Sequence, residues 1–220
     1  MKPTAQSDVL LSLRHDIVTG SLAPGAQVVQ ETLAEHYGVS RVPVREALKI
    51  LEGEGLVNYY PHRGYFVATL STDDLLEVYR LREILETEAI EHAVTALTDA
   101  DCEALAELLL DVDAALRGED LAAITAANRR FHFALFESSG MPRLVRLLRQ
   151  LWDATDVYRS VYFAASPNRD RVHDEHVEIL QALRQRDTAA VVRWHNIHRQ
   201  NTITAVTAMI QARALKGAAN

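Results

Sequence analysis

The 220-residue chain is 48% hydrophobic and 24% charged, enough to bury a core in one large or two small globular domains. A net charge of −7 argues against a general polyanion binder, and a single cysteine, Cys102, excludes an intramolecular disulfide and a thiolate zinc cluster. No run approaches the roughly 20 apolar residues that span a bilayer, and the opening MKPTAQSDVLLSLRHD lacks the apolar segment of a signal peptide, so a cytoplasmic location without a membrane partner is expected.

Up to about residue 70 the chain is punctuated by Gly20, Pro24, Gly25, Gly38, Pro43, Gly55, Pro61 and Gly64. This stretch reads as three short helices and then a hairpin, with VNYY (57–60) and YFVATL (65–70) flanking the turn PHRG. It carries six Lys/Arg against seven Asp/Glu, so any nucleic-acid binding has to come from a local basic face. In EHYGVSRVPVREALKILEGEGLV one helix ends at Gly38 and a second begins after Ser40, a residue suited to the N-cap, with Pro43 in the first turn. Val44, Ala47, Leu48 and Leu51 give the second helix a buried face, while Arg41, Arg45 and Lys49 recur every four residues on another. Such a stripe is also what a solvated face paired to glutamates looks like. As the second helix of a helix–turn–helix, it has the geometry of a major-groove reader, and His62 and Arg63 before Gly64 place a wing tip within reach of phosphates.

The segment IVTGSLAPGAQVVQETLAEHYGVSRVPVREALKILEGEGLVNYYPHRGYFV resembles the winged helix–turn–helix of the GntR family of bacterial transcription regulators. The likeness runs through Gly20, Leu22, Pro24-Gly25, Leu33-Ala34, Gly38-Val39-Ser40-Arg41, Pro43 to Leu48, Leu51, Gly55-Leu56-Val57 and Arg63-Gly64. It implies that Ser40, Arg41, Val42, Pro43, Arg45 and Lys49 face DNA and that His62, Arg63 and Gly64 lie near a groove. Glu31 departs from relatives with a basic contact there, so no contact is carried over to it.

After residue 70 glycine and proline become scarce and helical periodicity takes over. Ser71-Thr72, Thr98 with Asp101, Asp120, Pro142, Ser166-Pro167 and Asp187-Thr188 mark six helix starts. The expected fold is therefore mainly α: a winged head over residues 1–70, then an all-helical bundle of six to seven helices over 71–220. In ITAANRRFHFALFE, Asn128 and His132 fall on the same stripe as Ile124, Phe131 and Leu135. His176 lines up with Val172, Ile179 and Leu183, and His198 with Val191 and Trp194. Three unpaired imidazoles are costly to bury, whereas one divalent cation satisfies them all, and a thiolate-free, imidazole-rich set suits Zn²⁺ or Ni²⁺. His173 and His195 each precede these histidines by three residues, so either member of each pair could face inward, although the apolar alignment favours His176 and His198.

The body resembles the FCD domain of the FadR branch of the same family over residues 72–216. That likeness rests on Asn128 four residues before His132, on Glu175-His176, and on His198 beyond them. It implies a metal held by Asn128, His132, His176 and His198, with Asn where Asp is commoner, and a small organic acid effector bound beside it. Arg82, on the line of Leu75, Val78 and Leu85, is the candidate carboxylate clamp, the alternative being an internal pair with Glu86. Tyr158 and Arg159 are further candidates.

These features together predict a homodimeric, ligand-responsive transcription regulator of a palindromic double-stranded operator, and not an enzyme. A metal-dependent hydrolase or lyase with an appended head is the alternative, but no acid stands among the histidines as in HExxH. A metal-free helical interaction module is a second.

Overall fold

The computed structural model describes residues 5–69, 71–118 and 120–218. Among them are ten helices and a three-stranded sheet, and the chain divides into two compact units, residues 1–70 and 71–220.

In the first unit α1 (Ala5–Thr19) presents Val9, Leu13 and Ile17 at four-residue spacing and buries them. Helix α3 (Arg41–Gly53) packs against α1 and buries Val44, Ala47, Leu48 and Leu51, the face expected from spacing. The Arg14 guanidinium reaches both oxygens of Glu54, at 2.6 and 2.7 Å, and so ties α1 to the end of α3. Between them α2 (Gln30–His36) closes on Gly38, whose φ of 65° is a conformation other residues adopt only with strain. Ser40 occupies the N-cap of α3, but its hydroxyl makes no capping bond. The reason lies three residues on, where the usual donor position is Pro43 and has no N–H.

The strands run in the order β1-β3-β2, all antiparallel: β1 (Gln27–Val28), β2 (Val57–Tyr60) and β3 (Gly64–Val67). Two-residue β1 is too short to leave a periodic signal and was absent from the sequence expectation. The expected strand over 65–70 is paired only as far as Val67, and residue 70 lies outside the described residues. At the wing tip His62 takes φ 62° and Gly64 φ 86°.

The second unit is seven helices: α4 (Thr72–Ala96), α5 (Asp99–Leu116), α6 (Leu121–Glu137), α7 (Pro142–Ala154), α8 (Asp156–Phe163), α9 (Ser166–Arg184) and α10 (Thr188–Ala218). Their starts follow the expected caps: Ser71 accepts from Asp74, Thr98 and Asp101 form a reciprocal capping box, and Asp120 accepts from Ala122 and Ala123. The continuous run after Pro142 breaks at Thr155, whose hydroxyl lies 3.2 Å from the Leu151 carbonyl and 3.1 Å from that of Trp152. This turn separates α7 from α8 and lets α8 pack against α6, α9 and α10. Phe131, Phe136, Leu148, Trp152, Ile179, Leu183 and Val191 form the core around which polar side chains are then held. No described helix is long and apolar enough to cross a membrane.

Candidate functional site

Three helices deliver the histidines to one point. Helix α6 supplies Asn128 and His132 one turn apart, α9 supplies Glu175 and His176, and α10 supplies His195 and His198, all of them buried. One ring nitrogen from each of His132, His176 and His198 lies within 4.8 Å of the other two. His132 Nε2 and His176 Nε2 are 3.0 Å apart.

The nitrogens turned away from that point have partners in two cases. His198 Nδ1 sits 2.6 Å from Glu175 Oε2, and the other Glu175 oxygen accepts from Asn201 Nδ2 at 2.5 Å. His132 Nδ1 sits 3.3 Å from His195 Nε2, and His195 Nδ1 lies 3.1 Å from the Val191 carbonyl. His176 Nδ1 and both polar atoms of the Asn128 amide are buried without a partner.

Burial, then repulsion among the rings, pushes the pKa of His132 and His176 well below the ordinary imidazole value. Burial also lowers that of His195 to about 3. All three are thus neutral at neutral pH and carry lone pairs. A buried polar atom without a partner costs about 1–3 kcal/mol, and of the two on the Asn128 amide only the oxygen can be satisfied by an electrophile. Ligand nitrogens around a tetrahedral zinc stand about 3.3 Å apart, near the observed 3.0 Å. The three imidazoles of His132, His176 and His198 are thus a donor set of the kind a borderline divalent cation accepts, with Asn128 one turn before His132 on α6. His173 lies outside, half-exposed and 2.6 Å from Asp113.

Next to the histidines is a buried network of charge. Arg82 Nε donates to Glu86 Oε1 at 2.9 Å, the Trp152 indole donates to the same oxygen at 2.7 Å, and Arg199 donates to Glu86 Oε2. Burial alone would raise the pKa of Glu86, but the Arg82 and Arg199 guanidiniums outweigh it and bring it down to about 2. Arg159 donates to Asp156, to the Trp152 carbonyl at 2.7 Å and to the Thr155 hydroxyl at 2.7 Å, and Arg82 reaches that hydroxyl at 3.2 Å. Both guanidiniums lie over the Trp152 ring, 4.2 and 4.3 Å from its centroid.

The Arg82–Glu86 pair raised as an alternative from the sequence is thus present. Tyr158 is also committed, accepting from the Ser71 amide at 3.1 Å and donating to Asp74 at 3.0 Å, which pins the start of α4. Among the described residues, Arg159 Nε and the Tyr162 hydroxyl, on one face of α8, are buried without an acceptor. Burial raises the pKa of Tyr162, which keeps its proton, and Glu175 is near enough to act on it.

Sequence reasoning left out Trp152, Thr155, Tyr162 and Arg199. Tyr162 follows Arg159 by three residues, a spacing that signals a shared face. Arg199 gave no periodic signal because its neighbours on the buried side of α10 are His195, His198 and Thr202.

In the first unit Arg41, Arg45 and Lys49 stand exposed along α3. Their partners are surface carboxylates: Glu31 lies 2.9 Å from Arg41, and Glu46 lies 3.4 Å from Arg45 and 3.3 Å from Lys49. Such pairs contribute at most about 1 kcal/mol and give way to a better anion. Ser40 and Val42 are exposed beside them, and Pro43 is half-buried in the same turn. On the wing His62 is exposed, and Arg63 leans over Phe66, 5.2 Å from its ring centre, with its carbonyl held by Gln27 at 2.8 Å.

A winged helix–turn–helix with an exposed basic face, joined in one chain to a helical unit with a polar interior, defines a transcription regulator. Residues 5–67 match the model of bacterial regulatory proteins of the gntR family and residues 77–201 that of the FCD domain. The chain belongs to the GntR family and carries an effector-binding FCD domain. It is 34% identical over 171 residues to the HTH-type transcriptional regulator McbR of Escherichia coli K12, covering 77% of each chain. It is 29% identical to the HTH-type transcriptional repressor GlaR of the same organism, covering 92% of this chain and 94% of that one. The solved E. coli McbR/YncC structure superposes with a TM-score of 0.81 at 28% identity, over 94% of this chain and 99% of that one. A GntR regulator from Rhodococcus sp. RHA1 gives 0.77 at 26% identity, over 92% and 97%. These relatives are regulators, so the reading as a hydrolase or lyase has no support and the chain is not an enzyme.

Proposed function

We propose that the protein is a homodimeric regulator that reads a palindromic operator and responds to a small organic acid bound beside a divalent metal ion in the FCD domain. The observation that carries this reading is the meeting of His132, His176 and His198 next to an Asn128 amide with no other partner. Asn128, His132, His176 and His198 would hold the ion, Zn²⁺ or Ni²⁺ by donor type.

Charge supports the organic acid. Among the described buried side chains three guanidiniums, Arg82, Arg159 and Arg199, are matched by three carboxylates, Glu86, Asp156 and Glu175. A divalent ion adds two positive charges to this balanced interior, and an incoming carboxylate offsets them. Its oxygens find the unpaired Arg159 Nε and Tyr162 hydroxyl on the inner face of α8, with Arg82 and Tyr158 bracing the surroundings. Metal and acid are then linked, each raising the affinity for the other.

For DNA, Arg41, Arg45 and Lys49 with Ser40, Val42 and Pro43 would enter the major groove, and His62, Arg63 and Gly64 would bring the wing to the backbone. A palindrome is read by two copies related by a twofold axis. Leu76, Leu81 and Ile84 are exposed on α4, an apolar face suited to a second copy.

The test is thermal unfolding of chelator-treated wild type and His132→Ala, with Zn²⁺ or Ni²⁺ added and then a panel of small organic acids. Metal should raise the midpoint of wild type alone. A true acid at 100 times its Kd should add about 2.7 kcal/mol, and only to the metal-loaded protein. A wild-type midpoint indifferent to metal defeats the reading.

A further inference from the structure

Each histidine that is to face a cation must keep the facing nitrogen free of a proton, and a neutral imidazole has only one proton to place. What the opposite nitrogen bonds to therefore decides whether the ring can serve as a ligand. For His198 that partner is the Glu175 carboxylate, which only accepts, so the proton lies on Nδ1 and Nε2 is free.

For His132 the partner is another histidine, so the direction of the bond has to be derived. His195 Nδ1 lies 3.1 Å from the Val191 carbonyl. A carbonyl only accepts, so His195 holds its proton on Nδ1 and its Nε2 carries a lone pair. That lone pair faces His132 Nδ1 at 3.3 Å and can only accept from it. His132 then has its proton on Nδ1 and a lone pair on Nε2, the nitrogen 3.0 Å from His176 Nε2.

We propose that His195 is a positioning residue for the metal site: anchored to the Val191 carbonyl, it fixes His132 in the one tautomer that can bind a cation through Nε2. This rests on the metal reading above and adds to it a residue that contacts no metal. Helix α10 thereby acts twice, offering His198 as a ligand and His195 as the support of a ligand on α6. His195 is fully buried, and its ring centroid lies 5.2 Å from that of His132 and 6.1 Å from that of Phe136, so it also fills core volume. Its two functions need separate tests.

The full-length protein, stripped with chelator, is titrated with Zn²⁺ against a chromophoric competitor. Wild type is compared with His132→Ala, His195→Phe and His195→Gln, and apo folding is checked by circular dichroism. Phe keeps the bulk but offers no acceptor, whereas the Gln carbonyl can accept from His132 Nδ1. The expected result is one Zn²⁺ bound by wild type, loss of binding in His132→Ala, a 10- to 100-fold weaker Kd in His195→Phe, and recovery to within a few-fold in His195→Gln. Ring ¹⁵N spectra of wild type give a reading that needs no variant: both His195 and His132 should be the Nδ1–H tautomer. Equal affinity of the Phe variant and wild type, or an Nε2–H tautomer at His195, overturns the proposal while leaving the metal site standing. Absence of Zn²⁺ binding by wild type, or full binding by His132→Ala, overturns the metal reading and this inference with it.

Discussion

Arg82 donates to Glu86 across one turn of α4 at 2.9 Å, and neither side chain is more than 3% exposed. An ion pair so deeply buried is not by itself a source of stability, because desolvation offsets most of the attraction. Removing one partner is different, since Arg82 and Arg199 would both be left with uncompensated charge. We expect Glu86→Gln to destabilise the helical unit by about 3–5 kcal/mol at pH 7. Both tryptophans, Trp152 and Trp194, lie in that unit, so urea unfolding followed by their fluorescence reports on it alone.

The same pair predicts a pH dependence. The folded pKa of Glu86, about 2, lies below its ordinary 4.5. Its contribution is therefore complete above about pH 4.5 and is lost as pH falls towards 2. Integrated over that window the effect is roughly 3 kcal/mol. The stability gap between wild type and Glu86→Gln should accordingly narrow between pH 5 and pH 3. A gap that stays constant over that range would mean that folding does not shift the Glu86 pKa.

Thr155 is a third point of the network, accepting from both Arg82 and Arg159. Thr155→Val keeps the shape and removes the acceptor. The expected cost is about 2–3 kcal/mol, from bonds to charged groups that nothing replaces. A double-mutant cycle with Glu86→Gln should be non-additive, because both changes act on the Arg82 guanidinium.

How much of this was legible depends on what signal each residue leaves. The recognition helix was readable because Val44, Ala47, Leu48 and Leu51 repeat an apolar period while Arg41, Arg45 and Lys49 repeat a basic one. Asn128 and His132 were readable as polar interruptions of an apolar stripe. His195 was readable only as the alternative to His198 for the inward position, and Arg199 not at all, because the buried side of α10 from Val191 to Thr202 is mostly polar, and a polar stripe looks like a solvated one. Thr155 stayed hidden because a helix break made by one hydroxyl lacks the proline or glycine that usually marks it. Whether Arg82 paired with Glu86 or awaited a ligand could not be read from spacing, since one inward line serves both.

On the DNA side, Arg45 is exposed and pairs with the partly buried Glu46 at 3.4 Å. Arg45→Ala should leave the unfolding midpoint unchanged and cost roughly 1–3 kcal/mol of operator affinity, measured by fluorescence anisotropy at fixed salt. Weakening that is equal on operator and random DNA would assign Arg45 to phosphates, whereas weakening on the operator alone would assign it to base edges.

Asn128 offers the sharpest separation of folding from ligation. Its amide costs stability because both polar atoms are buried and unpartnered, yet a neutral oxygen is a weak donor to a cation. Asn128→Asp moves these two quantities in opposite directions. Without metal, a carboxylate placed among neutral imidazoles loses its hydration, and the stripped variant should be less stable than wild type by about 1–3 kcal/mol. With Zn²⁺ or Ni²⁺ present, the added negative charge strengthens ligation, and the Kd should tighten roughly tenfold. The variant should therefore unfold below wild type after chelation and close or reverse that difference when metal is restored. A variant less stable by the same margin in both states would place Asn128 outside the coordination sphere and leave three histidines to hold the ion.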